Sequence, residues 1–87
     1  MLVRGGILIV SDFTKPELAF FREHCNFVNE EKTLFELRAS GHSLEECCGI
    51  MGMELSGLKK ISKKVNSKMI SVTNVVNMQN WIKENYA

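Results

Sequence analysis

The stretch of sequence that decides the fold runs from residue 44 to residue 63 and reads LEECCGIMGMELSGLKKISK. Two helices that cross at a tight turn need a glycine in the turn, because glycine adopts positive φ without a steric penalty. Gly52 meets this need, and Cys48 is small enough for a close approach of the two helices. Leu58 and Ile61 follow as apolar residues of an inner helix face. The stretch therefore predicts a helix-turn-helix, whose second helix reads the major groove of DNA.

Helix-start signals divide the rest of the chain into further short helices. Residues 14–17 (Thr-Lys-Pro-Glu) and 43–46 (Ser-Leu-Glu-Glu) both read as capping boxes. Asn29 is the expected cap of a second helix. The fourth helix is predicted over residues 55–69, and a fifth from near Thr73. The chain is thus predicted to be all-α, with four or five short helices after a short extended or flexible N-terminal segment.

Length and composition limit the class of protein. The chain has 87 residues, 45% of them hydrophobic, and a single proline, which fits one small globular domain. Its N-terminal apolar run, residues 7–10, is too short for a membrane span or a signal-peptide core. Three cysteines, two of them adjacent, suggest reduced thiols. We therefore expect a cytoplasmic protein with no membrane partner.

The near-neutral net charge hides an uneven distribution. Residues 1–57 carry five basic and nine acidic side chains, whereas residues 58–87 carry six lysines and one glutamate. Five of those lysines lie between residues 59 and 68. A basic cluster of this kind is typical of a surface that binds a polyanion, although a solvated lysine-rich helix face has the same pattern.

A family resemblance covers about three fifths of the chain. From Asn29 to about Ile82 the sequence resembles the LuxR-type DNA-binding domain, a four-helix helix-turn-helix, and region 4 of bacterial sigma factors has a similar local pattern. The matching residues are Asn29-Glu30-Glu31, Leu34, Leu37, Gly41-His42-Ser43, Glu46-Cys47-Cys48, Met51-Gly52-Met53, Leu58-Lys59, Val65, Lys68-Met69 and the helix from Thr73. Residues 12–27 resemble the leader of short phage- or mobile-element-type regulators. We therefore divide the chain into an N-terminal segment with a leader helix, 1–28, and a LuxR-like domain, 29–87.

Helical geometry selects the residues that would contact DNA. With the apolar row turned inward, the lysines of the second helix point outward. The N-terminal half of a recognition helix meets base edges, so base contacts are expected from Ser56, Lys59, Lys60 and Lys63. Backbone phosphates are expected to contact Lys64, Lys68 and the helix start at Ser43. One such module makes few contacts, so a homodimer on two half-sites is expected.

Two departures from the family pattern favour a second hypothesis. Glu54 stands where the family usually has Ser or Thr, and Gly57 replaces a usual threonine inside the recognition helix. The first is a poor cap and an acid that would face phosphates, and the second lowers helix propensity by roughly 1 kcal/mol. The alternative is a protein-interaction module on a helix-turn-helix scaffold. Its partner would be RNA polymerase or another regulator, and it would bind DNA weakly or not at all.

The remaining polar and sulfur-containing residues predict neither catalysis nor a cofactor. Cys47 and Cys48 have His42, His24 and Cys25 nearby in sequence, but no metal-ligand spacing occurs. Free cysteine behaves as a small hydrophobe, so core packing is expected for these thiols. Nothing resembles a nucleophile with a base and an oxyanion site. We therefore predict no enzyme activity, no metal and no cofactor.

Overall fold

A computed structural model of the chain describes residues 10–86, which form five α-helices and one 3-10 turn and contain no β-strand. The elements are the 3-10 turn Val10–Asp12, α1 Lys15–His24, α2 Asn29–Ala39, α3 Leu44–Met51, α4 Leu55–Val75 and α5 Met78–Tyr86. The predicted all-α class is confirmed. The extended or flexible segment that was expected at the N-terminus precedes Val10 and lies outside the described residues.

The first helix begins at the predicted capping box. The Thr14 hydroxyl accepts a hydrogen bond from the Glu17 N–H (3.4 Å), and Glu17 Oε1 accepts one from the Thr14 N–H (2.7 Å). Two helix-end N–H groups are thereby satisfied locally, with a proline in the first turn where its missing N–H has no consequence.

The second helix begins one residue earlier than predicted. Val28, not Asn29, is the N-cap, and Asn29 has a positive φ of 41° at the first helical position. The Val28 N–H donates to Glu31 Oε1 (3.3 Å). Glu31 is also held by a tertiary ion pair with Lys68. The start of α2 is thus set by this carboxylate and not by an asparagine side chain.

The second helix stops at the predicted glycine. Gly41 has a φ of 95°, which allows the chain to fold back on the helix end. The Gly41 N–H donates to the Arg38 carbonyl (3.0 Å) and the His42 N–H donates to the Leu37 carbonyl (3.1 Å). This pair of bonds is the Schellman arrangement that satisfies the last carbonyls of a helix.

The fourth helix is longer than predicted, and the fifth starts later. α4 continues past Met69 and Thr73 to Val75, for 21 residues in all. Neither Gly nor Pro occurs between residues 69 and 77 to break it. The cap of α5 is Asn77, whose Oδ1 accepts from the Asn80 N–H (3.1 Å). The predicted helix boundary between residues 69 and 73 was therefore wrong, because the true start signal lies four residues after Thr73.

Two hydrophobic clusters hold the helices together, and Ile61 of α4 packs against both. The larger cluster joins α1, α2, α4 and α5. Its buried residues are Val10, Leu18, Phe20, Phe21, Cys25, Phe35, Val65, Met69 and Met78. The smaller cluster consists of Leu34, Cys47 and Leu58, so it fixes α3 against α2 and α4.

The leader helix shares this core with the later helices. Phe20 lies outside the apolar row that Leu18, Phe21 and Cys25 form by their spacing, yet it is fully buried. Its ring meets the Trp81 ring of α5 edge-on, with centroids 5.7 Å apart. On the opposite side of α1, Arg22 makes a bidentate contact with the Glu36 carboxylate of α2, at 2.6 and 2.8 Å. α1 thus supports the scaffold that positions α4.

Candidate nucleic-acid interface

The unit formed by α3, a three-residue turn and α4 depends on one glycine. Gly52 ends α3 with a φ of 64° and a ψ of 39°, in the left-handed region. This conformation lets the Met53 N–H donate back to the Cys48 carbonyl (3.1 Å). An L-residue with a Cβ is strained there. The predicted role of Gly52 as the turn glycine is confirmed.

The two adjacent cysteines divide their roles differently from the expectation. Cys47 is fully buried and packs with Leu34 and Leu58, whereas Cys48 lies partly buried at the margin of the same cluster. Ile50 of α3 is 57% exposed. Burial raises the pKa of the Cys47 thiol. It also raises the pKa of the Cys25 thiol to about 11, a shift that the charge of Lys68 partly offsets. Both thiols are therefore protonated near neutral pH and act as packing groups.

Four lysines form the exposed basic face of α4, which also includes a serine. At about 100° per residue, the four lysines span a sector of roughly 140° opposite the buried row of this helix. All five side chains of this basic face are exposed: Ser56, Lys59, Lys60, Lys63 and Lys64. Among residues 10–86, none of the four lysines forms an ion pair. The basic face therefore presents its charge to solvent.

Lys68 is separated from the basic face by a tertiary contact. Its Nζ lies 2.5 Å from Glu31 Oε1 and donates to the Asn26 carbonyl at 2.7 Å. The hydrogen bond from Lys68 is the largest cause of the lowered pKa of Glu31, with smaller contributions from the Val28 N–H and the charge of Lys64. The Glu31 side chain is only 10% exposed. Lys68 thus anchors α4 to α2. Its side chain is still 35% exposed, and its predicted phosphate contact stays a prediction.

Ser43 is engaged at the start of α3. Its hydroxyl accepts from the Glu46 N–H (3.1 Å), and Glu46 Oε1 accepts from the Ser43 N–H (2.8 Å). This backbone hydrogen bond is the largest cause of the lowered pKa of Glu46, and the nearby His42 lowers it further. The serine hydroxyl keeps its own O–H free to donate to a phosphate. Glu45 and Glu46 nevertheless add two negative charges to that first turn.

The two departures from the family pattern have distinct structural consequences. Glu54 is the N-cap of α4 and is exposed, but its side chain makes no capping hydrogen bond. A Cβ added at Gly57 would lie 3.7 Å from the Met53 Cε, an ordinary van der Waals distance. The site therefore has room for a larger residue at position 57, and the glycine is not required by packing.

Two apolar features near the basic face were missed by the sequence reasoning. Leu55, the first residue of α4, is 38% exposed and belongs to neither cluster. A shallow groove of about 240 Å³ lies between the start of α3 and α4, lined by Leu44, Lys59, Ser62, Lys63 and Asn66. The register of α4 could have identified Leu55, because that position falls outside the row of Leu58, Ile61 and Val65. The groove depends on how α3 meets α4 and has no signal in the sequence.

Within the described part of the chain, no group of three His, Cys, Asp or Glu side chains is arranged to hold a metal ion. Nor does any helix in residues 10–86 combine the length and the apolar character that crossing a bilayer requires.

Comparison with family models, with curated proteins and with solved structures found no match to this chain.

Proposed function

We propose that this protein binds double-stranded DNA in a sequence-specific manner, with α4 in the major groove, and regulates transcription. The observation that supports the proposal is the basic face of α4. Its lysines are exposed and stand opposite the buried row, and no acid of residues 10–86 pairs with them. An α-helix fits the major groove, which is about 12 Å wide. The groove presents its base edges between two rows of phosphates, so a cationic helix is attracted and aligned at once.

Position along α4 assigns the roles within the basic face. Ser56, Lys59 and Lys60 lie in its first two turns, so they are proposed to contact bases, with Lys63 beside them. Lysine donates to the O6 and N7 atoms of guanine, and serine accepts or donates at several bases. Lys64, farther along α4, is proposed to contact a phosphate. The Ser43 hydroxyl is proposed as a second phosphate donor from the start of α3.

A single α4 covers one half-site, so we propose that two copies bind adjacent half-sites. The last helix, α5, uses several of its apolar residues inside the domain: Met78 is buried, and Trp81 and Ile82 pack against the larger cluster. The exposed apolar residues near the α4–α5 end are Val75 and Tyr86, at 82% and 54%. Sedimentation of the DNA complex measures the stoichiometry, for which this proposal predicts two chains per duplex.

The experiment that tests DNA binding compares lysine variants on one duplex. Sequences are enriched from a random duplex pool, and affinity is measured by fluorescence anisotropy at fixed salt. K59A is expected to weaken binding between about fivefold and 150-fold, the effect of one lost base contact. K83A removes the same charge from α5 and serves as the matched control, with little effect expected. Equal affinities for wild type, K59A and K83A would refute the assignment.

A second candidate function is supported by the exposed acids around the same unit. Glu45 and Glu46 lie in the first turn of α3, and Glu54 caps α4. These carboxylates repel phosphates and suit a protein partner such as RNA polymerase or another regulator. Binding to purified RNA polymerase, combined with no salt-sensitive affinity for any enriched duplex, would favour this alternative.

A further inference from the structure

Leu55 is an exposed apolar side chain at the start of α4, and the other exposed residues of this helix are polar apart from Val75 at its opposite end. It is 38% exposed and is absent from both hydrophobic clusters, although leucine is among the residues most often buried. Its neighbours Glu54 and Ser56 are exposed as well. More than a third of the Leu55 side chain is therefore left uncovered by the domain and is available to contact a ligand.

The register of α4 places Leu55 beside the basic face. Leu55 and Lys59 are four residues apart, so their Cβ atoms lie about 5–6 Å apart on one side of the helix. Ser56 follows on the same outer surface, toward the N-terminal end that meets base edges in a recognition helix. This end of α4 thus presents an apolar group, a hydroxyl and a cation within one turn.

The chemistry of the major groove gives an apolar group one favourable target. Thymine alone presents a methyl group there, at C5, while the other bases present hydrogen-bond donors and acceptors. Leucine cannot satisfy those donors and acceptors, and burying its methyl groups against another methyl is favourable. We propose that Leu55 contacts the C5 methyl of a thymine close to the base read by Lys59. This inference rests on the proposed DNA binding and adds a specificity-determining residue to it.

The test uses a base change that removes only the methyl group. In the duplex enriched for binding, each thymine is replaced in turn by uracil, and affinity is measured at fixed salt. For the wild type, uracil at one or two neighbouring positions is expected to weaken binding about fourfold, the effect of one buried methyl group. L55A is expected to bind the thymine and uracil duplexes equally. I50A removes another exposed apolar side chain, on α3, and is expected to keep the discrimination.

The outcomes separate this inference from the proposed function. Salt-sensitive binding by the wild type that is unaffected by uracil at every position overturns the role of Leu55 and leaves DNA binding intact. Discrimination that survives in L55A also overturns it. Absence of any duplex binding overturns both proposals, and a protein partner lost only in L55A would assign the leucine to that partner. The uracil comparison in the wild type needs no variant to fold, and thermal unfolding checks that L55A does.

Discussion

The N-terminus of α4 allows stability and DNA affinity to be changed separately. Glu54 has the extended backbone of an N-cap (φ −75°, ψ 152°), yet its side chain caps nothing. Aspartate and serine are good caps, and replacing a poor cap by one of them adds about 1 kcal/mol to the free energy of unfolding. For a domain of this length that gain raises Tm by about 4–8 °C. E54D and E54S should therefore both be more stable than the wild type.

The charge at position 54 is expected to rank the variants differently in stability and in DNA affinity. E54D keeps the carboxylate, which interacts favourably with the positive helix end by about 0.3–1 kcal/mol, so it should be the more stable of the two. E54S removes a negative charge from the end of α4 that is proposed to face DNA. A like-charge contact of about 4 Å in water costs about 1 kcal/mol, so E54S should bind DNA about fivefold more tightly than E54D. E54Q removes the charge without adding a good cap, and it should match E54S in affinity but not in stability.

The two measurements are urea unfolding and anisotropy titration on one enriched duplex at about 0.1 M salt. Wild-type stability in both E54D and E54S would show that the first turn of α4 does not lack a cap. If E54S and E54Q bind no more tightly than E54D, Glu54 does not lie near a phosphate, and the orientation proposed for α4 is wrong.

Three further predictions test the scaffold. F20A should lower the free energy of unfolding by about 3–5 kcal/mol because the ring is fully buried. That loss is a large part of the total stability of roughly 4–13 kcal/mol expected for a chain of this length. A loss below about 1 kcal/mol in urea unfolding would contradict the prediction. G57A should raise the free energy of unfolding by about 1 kcal/mol, since alanine has the higher helix propensity and its Cβ would meet only the Met53 Cε at 3.7 Å. Unchanged or lower stability would show that position 57 does not accommodate a Cβ freely. The pKa of Glu31 is lowered in the fold, chiefly by Lys68, so the stabilisation from this pair is present above pH 4.5 and declines as the pH falls below it. E31Q should therefore lose less stability than the wild type between pH 7 and pH 3. Parallel losses in both proteins would refute the role of the pair.

Local signals account for what the sequence predicts correctly. The capping boxes at Thr14 and Ser43 and the positive φ at Gly52 each depend on a few neighbouring residues. Those interactions form within one helical turn, so residue type and spacing are enough to identify them. The exposure of Lys59 and Lys60 follows from the same period once the buried row of α4 is known.

Tertiary contacts account for what the sequence does not reveal. Phe20 lies outside the apolar row of α1, and it is buried in a tertiary cluster that includes Trp81, far along the chain. Lys68 reads as one more member of a basic cluster, yet a carboxylate 37 positions earlier holds it. That same carboxylate, of Glu31, accepts from the N–H of Val28, which is the N-cap of α2 in place of Asn29. Each of these outcomes depends on which helices meet, and residue spacing within one helix carries no information about that.

The most direct test of the proposal that α4 binds DNA is to map by NMR which residues respond to a duplex. Backbone amide shifts of the ¹⁵N-labelled full chain are followed as the enriched duplex is added at low and at high salt. We predict that the largest shift changes fall on residues 55–64 and at the start of α3 near Ser43, and that these changes diminish as salt rises. Changes confined to α1 and α5, or a spectrum that the duplex leaves unaltered at low salt, would contradict the proposal.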